Sequence, residues 1–367
     1  MIYGILLAAS LTALAVWYLE FRAYSIPVLY YHHVEPGDPI TPRVFEIQMQ
    51  YLLSKGYRSI SLLELAEFMQ GLHRPGRKSF VLTFDDGFYC NYRHLFPILK
   101  KSGLKATVFA VTGARKQSID AGPREQARGY TARSGANAEA TANFATWDEL
   151  KAMAESGLVQ VEDHSLFHDR VYRDDRVAGF NTGVELDWPV WGDTRPGTVR
   201  YRTGSSLAHR NFTGDYRLNE HLVKLVKEGP LDPTEAGVLR VLRQAYRGYR
   251  RQHPVKVIYE SGDSYARRCR ADLEKSRQVI AGHIGAVPGF LCFPWGEYGR
   301  RTIEVVKDLG YRGAVTTDKG ANVRGGNPYK IKRFKVYRSN MGWFKRYFLL
   351  HRSRILVTLY GLFYGWF

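Results

Sequence analysis

Cysteine is scarce: Cys90, Cys269 and Cys292 are the only three in 367 residues. None belongs to a C-x-x-C pair or a zinc-finger spacing, so no thiol-built zinc module can be read, and the redox compartment stays open. No RNP motif, basic heptad region or internal repeat is present, and the arginines are spread along the chain rather than gathered in one arm; a modular nucleic-acid binder is excluded on these grounds. Acidic residues are the minority, 35 Asp and Glu against 53 Lys and Arg, giving a formal net charge of +18 that calls for an anionic partner or surface. An anionic membrane surface suits that charge better than nucleic acid, because of the two ends of the chain.

Long apolar runs are equally few. Ile2 to Leu19 is polar only at Ser10 and Thr12, close to the ~20 apolar residues that a helix needs to span a bilayer. It has no basic start and no small-residue cleavage site, so residues 1–22 are expected to be a membrane anchor rather than a cleaved signal. At the other end, Trp343 to Phe367 mixes Lys345, Arg346, Arg352 and Arg354 with aromatic and aliphatic side chains. Its charge-free stretch, from Ile355, is too short to span. Residues 343–367 are therefore expected to form an amphipathic tail lying among lipid headgroups, the alternative being a terminal helix packed on the domain.

Between the ends, short β-rich runs alternate with helical patterns, which predicts a single large α/β domain over 26–338 built on a parallel sheet or barrel. Strands are expected at 27–31, 80–84, 106–111, 158–162, 255–259, 289–293 and 311–317, and helices at 43–55, 62–70, 92–102, 147–155, 265–284 and 301–309, where apolar residues recur at three and four. Two stretches break the rhythm. Residues 114–143 are poor in large apolar side chains and read as a surface excursion. Residues 170–253, with Trp188, Trp191 and many arginines, are too long for a bare loop and are expected to have structure of their own.

Three clusters carry chemistry. Thr83-Phe84-Asp85-Asp86-Gly87 places adjacent carboxylates after an apolar run, where barrel enzymes build their sites; it also has the composition of a plain Asp-Gly turn. His164-Ser165-Leu166-Phe167-His168 offers two imidazoles that converge on one ion if the backbone turns helically, with Zn, Fe, Ni or Cu suited to them. Cys292-Phe293-Pro294-Trp295-Gly296-Glu297-Tyr298 reads as a rigid loop with an aromatic face for a sugar, or as an ordinary turn with its Trp in the core.

In this order the three blocks resemble the polysaccharide deacetylase family, the NodB-homology or carbohydrate esterase 4 group. The flanking segments PVLYYHHV, RADLEKSRQVIAGHIG, GYRGAVTTDKGAN and IKRFKV are similar to its poly-N-acetylglucosamine-type exopolysaccharide branch. The resemblance implies an α/β fold, a distorted (β/α) barrel, here with an N-terminal transmembrane helix, insertions at 114–143 and 170–253, and the amphipathic tail. It implies a hydrolase of carbon–nitrogen (not peptide) bonds that removes N-acetyl groups from an amino-sugar polysaccharide. Asp86, His164 and His168 match the family's metal triad, for Zn, Fe, Ni or Co, and Asp85 its catalytic base. Pro294, Trp295 and Tyr298 would line the sugar site, with a backbone N–H near Trp295 holding the oxyanion, and His32 or His33 would supply a proton or a hydrogen bond. Two departures stand out: Cys292 occupies the position where many members carry an arginine that orients the base, and no late Leu-x-His block supplies a general acid. A deacylase of a lipid-linked glycan and a metal-binding but inactive glycan-binding barrel are the alternative expectations. The expected location is the inner membrane, with the catalytic domain on the periplasmic or outer face.

Overall fold

The computed structural model describes residues 3, 10–15, 24–113, 144–182, 188, 190–228 and 235–364. The anchor expected at 1–22, apart from 3 and 10–15, and the excursion expected at 114–143 lie outside them. No helix among the described residues is long and apolar enough to cross a membrane.

The first half alternates β1 (Val28–Tyr31), α1 (Pro42–Ser54), β2 (Arg58–Ser59), α2 (Leu62–Gln70), β3 (Ser79–Phe84), α3 (Phe96–Ser102), β4 (Ala106–Ala110), α4 (Trp147–Glu155) and β5 (Val159–Asp163). Residues 170–259 then form β6 (Arg170–Phe180), β7 (Val190–Trp191), β8 (Val199–Ser205), β9 (Phe212–Thr213), α5 (Tyr216–Glu228), α6 (Glu235–Gln252) and β10 (Ile258–Tyr259). The chain returns with α7 (Gly262–Ile284), β11 (Phe290–Cys292), α8 (Arg300–Asp308), β12 (Gly313–Val315) and β13 (Phe334–Lys335), and closes with α9 (Met341–Arg352) and α10 (Arg354–Phe363). Local chemistry fixes the helix starts. Ser61 with Glu64, and Thr146 with Glu149, form reciprocal capping boxes at α2 and α4, which satisfy backbone N–H groups that would otherwise be left open.

The main sheet is parallel, in the order β12-β11-β5-β4-β3-β1-β13 with β2 on the flank of β3. It curls until its edges meet. Ile331, just before β13, bridges Val315 of β12, and Ile331 N donates to Ala314 O at 2.9 Å while Thr316 N donates to Ile331 O at 2.9 Å. β1, β3, β4, β11 and β12 are buried on both faces, as parallel strands covered by helices must be. Alternation then sorts their side chains. From β1 and β3, Leu29, Phe80, Leu82 and Phe84 face outward into the main core with Phe45, Met49 and Leu52 of α1. Val28 and Val81 face inward with Phe109, Phe290, Cys292, Val315 and Ile331. Continuing the inward line of Val81 past Thr83 delivers Asp85 to the carboxyl end of the barrel.

Two expectations need correction here. The run 255–259 contributes only Ile258–Tyr259, which pairs antiparallel with β9 outside the barrel; the strand that closes the sheet is β13, whose two residues sit among lysines and an arginine and show no apolar run. The tail is also not a headgroup-lying segment throughout. α9 packs Trp343, Phe344 and Phe348 into the main core, with Phe348 edge-on to Tyr57 at 4.9 Å. Among the described residues of the tail, α10 keeps an apolar side open, at Leu356, Leu359, Leu362 and Phe363. The segment 170–259 gathers its own core from Tyr172, Phe180, Val199, Tyr201, Phe212, Leu218, Leu222 and Leu242, built on the antiparallel β6–β8 pair.

Candidate active site

Loops after β1, β3, β5, β11 and β12 converge on a cavity of about 550 Å³ whose lining includes His32, His33, Asp85, Asp86, His164, His168 and Trp295. Four non-glycine residues among those described have positive φ, and all belong to these loops: Asp86 (68°), Ser165 (68°), His168 (51°) and Trp295 (56°). Such conformations cost on the order of 1–3 kcal/mol each and persist where the surroundings impose them. Here each one turns a side chain toward the cavity or shapes the loop that does so. The His164–His168 segment is therefore a loop with two left-handed residues, correcting the helical turn that the spacing suggested.

Asp86 turns back from β3 toward both imidazoles. Its Oδ1 lies 3.3 Å from His164 Nε2 and 3.8 Å from His168 Nε2, and donor atoms of the three residues all stand within 4.8 Å of one another. Donors about 2.1 Å from a common ion stand roughly 3.0–3.4 Å apart, so His164 and Asp86 already have the required spacing and His168 is slightly wide of it. His164 Nδ1 donates to Cys292 O at 2.8 Å, which fixes the ring with Nε2 facing Asp86, the usual support behind a metal-bound imidazole. The loop is braced from below: Asp163 accepts from Ser165 N at 2.8 Å and from Ser276 Oγ at 2.6 Å, and also from Tyr311 Oη.

The electrostatics fit a cation. Burial disfavours charged His164, yet the Cys292 sulfur and the Asp86 carboxylate lift its pKa well above the ordinary imidazole value. His168, buried and facing His164, is pushed down to about 3. Burial raises Asp86 as well, but the imidazoles hold its carboxyl well below the usual range. Two carboxylates and two imidazoles in a closed space thus favour added positive charge, and the donor set of two nitrogens and one oxygen suits a divalent ion of the Zn, Fe, Ni or Co kind.

Asp85 points into the barrel and meets Arg333, a residue that the sequence reading did not single out. Arg333 is 1% exposed. Its guanidinium grips both carboxylate oxygens, at 2.6 and 2.9 Å, and also donates to Thr83 Oγ1 at 3.1 Å, to Thr316 O at 2.9 Å and to the Cys292 sulfur at 3.1 Å. Burial would raise the Asp85 pKa; the guanidinium overrides it and keeps the carboxyl below its usual value. Cys292 thus stands where many members of the resembled family carry an arginine, and an arginine just before the closing strand reaches the same carboxylate. The available signal was a lone Arg inside IKRFKV, which spacing alone cannot aim.

The other expected residues divide. His32 faces the two aspartates, which work against the burial that lowers its pKa. His33 also lines the cavity, but its Nδ1 is 3.1 Å from Glu35 Oε1 and 3.8 Å from the Cys90 sulfur. The Trp295 ring lies 4.2 Å from that of His168, and Pro294 is buried in the turn that presents it. Tyr298 is not brought to the cavity: it stacks on Phe293 at 5.2 Å and donates to Asp318 Oδ2 at 2.6 Å. In its stead Trp188, from the 170–253 stretch, closes over His168 at 3.9 Å.

Residues 73–183 match the family model described as polysaccharide deacetylase. That stretch of the chain is similar to polysaccharide deacetylases. YxkH of Bacillus subtilis (strain 168), named for the same family, is 32% identical over 97 residues, covering 26% of this chain and 35% of YxkH. The poly-beta-1,6-N-acetyl-D-glucosamine N-deacetylase of Escherichia coli (strain K12) is 24% identical over 278 residues, covering 74% of this chain and 30% of that protein. The chain thus spans about a third of the length of these curated relatives. Among solved structures, the deacetylase domain of BpsB from Bordetella bronchiseptica superposes with a TM-score of 0.55 at 20% identity, over 85% of this chain and 96% of that one. A de-N-acetylase from Aggregatibacter actinomycetemcomitans gives 0.57 at 19% identity, over 88% and 99%. At these identities the structural likeness establishes the shared deacetylase-type barrel.

Proposed function

We propose that this protein is a metal-dependent hydrolase that removes N-acetyl groups from amino sugars of an envelope or extracellular polysaccharide and releases acetate. The observation that carries the reading is Asp85, an ionised carboxylate locked on Arg333, beside an Asp86–His164–His168 set spaced for one ion. A divalent cation held there would polarise the acetamide carbonyl and acidify a water molecule. Asp85 would accept the proton of the attacking water, and the C–N bond would break to give acetate and a free amine. Its guanidinium clamp keeps the carboxylate charged and aimed without consuming the oxygen lone pairs that face the cavity. Trp295 and Trp188 would bracket the sugar ring, and the Trp295 backbone N–H would steady the developing oxyanion. His32 is the nearest candidate for returning a proton to the amine.

The family relationship of residues 73–183 supports the same chemistry, and the E. coli relative is named for a poly-N-acetylglucosamine substrate. The Arg333 clamp argues against a merely glycan-binding barrel, because a binding module has no need of a buried, paired base. We place the domain at the inner membrane, on its periplasmic or outer face, a reading supported by the composition of Ile2 to Leu19 and by the open apolar side of α10. A reporter fused to the carboxyl terminus tests the sidedness.

Acetate release from N-acetylglucosamine oligomers, with metal content measured on the same sample, tests the activity. Wild type should release acetate in proportion to bound metal, while Asp85→Asn retains the metal and releases none. Equal release from both proteins would sink the assignment.

A further inference from the structure

His33, Glu35 and Cys90 meet at the rim of the active-site cavity, a group separate from Asp86, His164 and His168. His33 and Glu35 stand on the loop after β1, and Cys90 on the helical turn that follows Asp85 and Asp86. The His33 ring lies flat on Phe88, with centroids 4.2 Å apart, and both rings line the cavity beside Asp38, Pro39 and Ile40. His33 Nδ1 faces two donors at once: Glu35 Oε1 at 3.1 Å and the Cys90 sulfur at 3.8 Å. Donor atoms of the three residues all stand within 4.8 Å of one another. A tetrahedral ion with bonds of about 2.1 Å to nitrogen and oxygen and about 2.3 Å to sulfur needs donors roughly 3.4–3.6 Å apart, so a shift of about 1 Å closes the set. Glu35, with its side chain 43% exposed, has room to make that shift. A plain His–Glu ion pair needs no sulfur turned to the same nitrogen.

The charges favour a cation. The His33 contact holds the Glu35 carboxyl below its usual value and so keeps it ionised. Burial, with the charges of Glu35 and Asp38 added, pushes the Cys90 thiol up to about 12. The negative field that keeps this thiol protonated also draws in a positive ion, and a coordinated thiol gives up its proton.

We propose that His33, Glu35 and Cys90 form a second divalent-cation site, for a thiophilic ion of the zinc class. Mixed nitrogen, oxygen and sulfur donors suit zinc and its substitute cobalt, whereas magnesium and calcium take oxygen donors. As the metal–sulfur bond forms, the S–H bond of Cys90 breaks and its proton passes to solvent. The ion replaces the direct contact between His33 Nδ1 and Glu35, and the neutral imidazole keeps its one proton on Nε2. Bound there, the ion fastens the loop after β1 to the turn that carries Asp86, and fixes one rim of the cavity.

Cobalt distinguishes this site from the other. The full chain is exchanged into Co2+ and compared with Cys90→Ser and Cys292→Ser. Wild type should bind two ions and show sulfur-to-cobalt charge-transfer absorption in the near ultraviolet, which the sulfur-free set of Asp86, His164 and His168 cannot give. Cys90→Ser should lose that band and one of the two ions. Cys292→Ser should keep both, because Arg333 already engages Asp85 and the Cys292 sulfur. Glu35→Gln should weaken the band-forming ion by at least about ten-fold, which keeps the site testable if Cys90→Ser proves unstable. Zinc added beyond the first equivalent should raise the melting temperature of wild type and leave that of Cys90→Ser unmoved. A wild-type protein without the band, or a band that survives both Cys90→Ser and Glu35→Gln, would overturn the site. Acetate release enters none of these readouts, so the second ion is judged apart from the deacetylase reading.

Discussion

Asp85 and Arg333 are both almost wholly buried, and that makes their pairing a matter of stability as well as chemistry. Removing one member of such a pair leaves an uncompensated charge in the interior, at a cost of about 3–5 kcal/mol. Arg333→Met is therefore expected to lower thermal stability and to cut acetate release by at least about 100-fold. Asp85→Asn with Arg333→Met should lose less stability than the two single changes added together, as a double-mutant cycle of unfolding midpoints will show. Arg333→Lys keeps the charge but loses the two-pronged grip and should restore stability better than rate. The same contrast applies to the histidines after β1. His32 faces the aspartates and His33 leans on Glu35, so His32→Gln should depress kcat more than His33→Gln in steady-state assays.

Elements differ in what holds them. α9 delivers Trp343, Phe344 and Phe348 to the core; Phe344→Ala should destabilise the protein by about 3–5 kcal/mol in denaturant unfolding. α10 shows Leu359 and Leu362 at 49% and 67% exposure. Changing both to Asp should leave unfolding within about 1 kcal/mol of wild type and weaken binding to anionic vesicles. On α7, Asp272 accepts from Leu166 N at 3.2 Å, and burial, together with the nearby Asp169 carboxylate, pushes its pKa up to about 8. An acid whose folded pKa lies above its unfolded value binds a proton on folding, so its contribution is complete below about pH 4 and is lost as pH climbs toward 8. Asp272→Asn keeps the acceptor and removes the ionisation. Its unfolding midpoint should rise relative to wild type as pH goes from 5 to 8, and a constant difference would refute the assignment.

Across the whole molecule, the parts legible in sequence were those written as patterns. Strands such as β3 and β4, and the capped helices α2 and α4, announce themselves through unbroken apolar runs and Ser or Thr three residues before Glu. The TFDDG and HSLFH blocks located four polar residues of the cavity because local spacing and motif travel together. Long-range facts left no such trace: β13 is two residues long, Arg333 is one basic residue among several, and Tyr298 is indistinguishable in sequence from a cavity-lining aromatic. Their places are set by how the sheet curls, which no window of neighbours encodes. Chelation should inactivate the protein and lower its melting temperature, because an ion that binds only the folded barrel stabilises it by mass action; readdition of Zn, Fe, Ni or Co, one at a time, will rank the metals by recovery of both readouts.

The ring of strands is joined at Ile331, and Arg333 follows two residues later. During synthesis, Asp85, Asp86, His164 and His168 all leave the ribosome well before the residue that neutralises Asp85. A nascent chain therefore holds the Asp85 carboxylate without a counter-charge until the final staves of the barrel dock, and the proposed hydrolytic competence would be a property of the finished molecule alone.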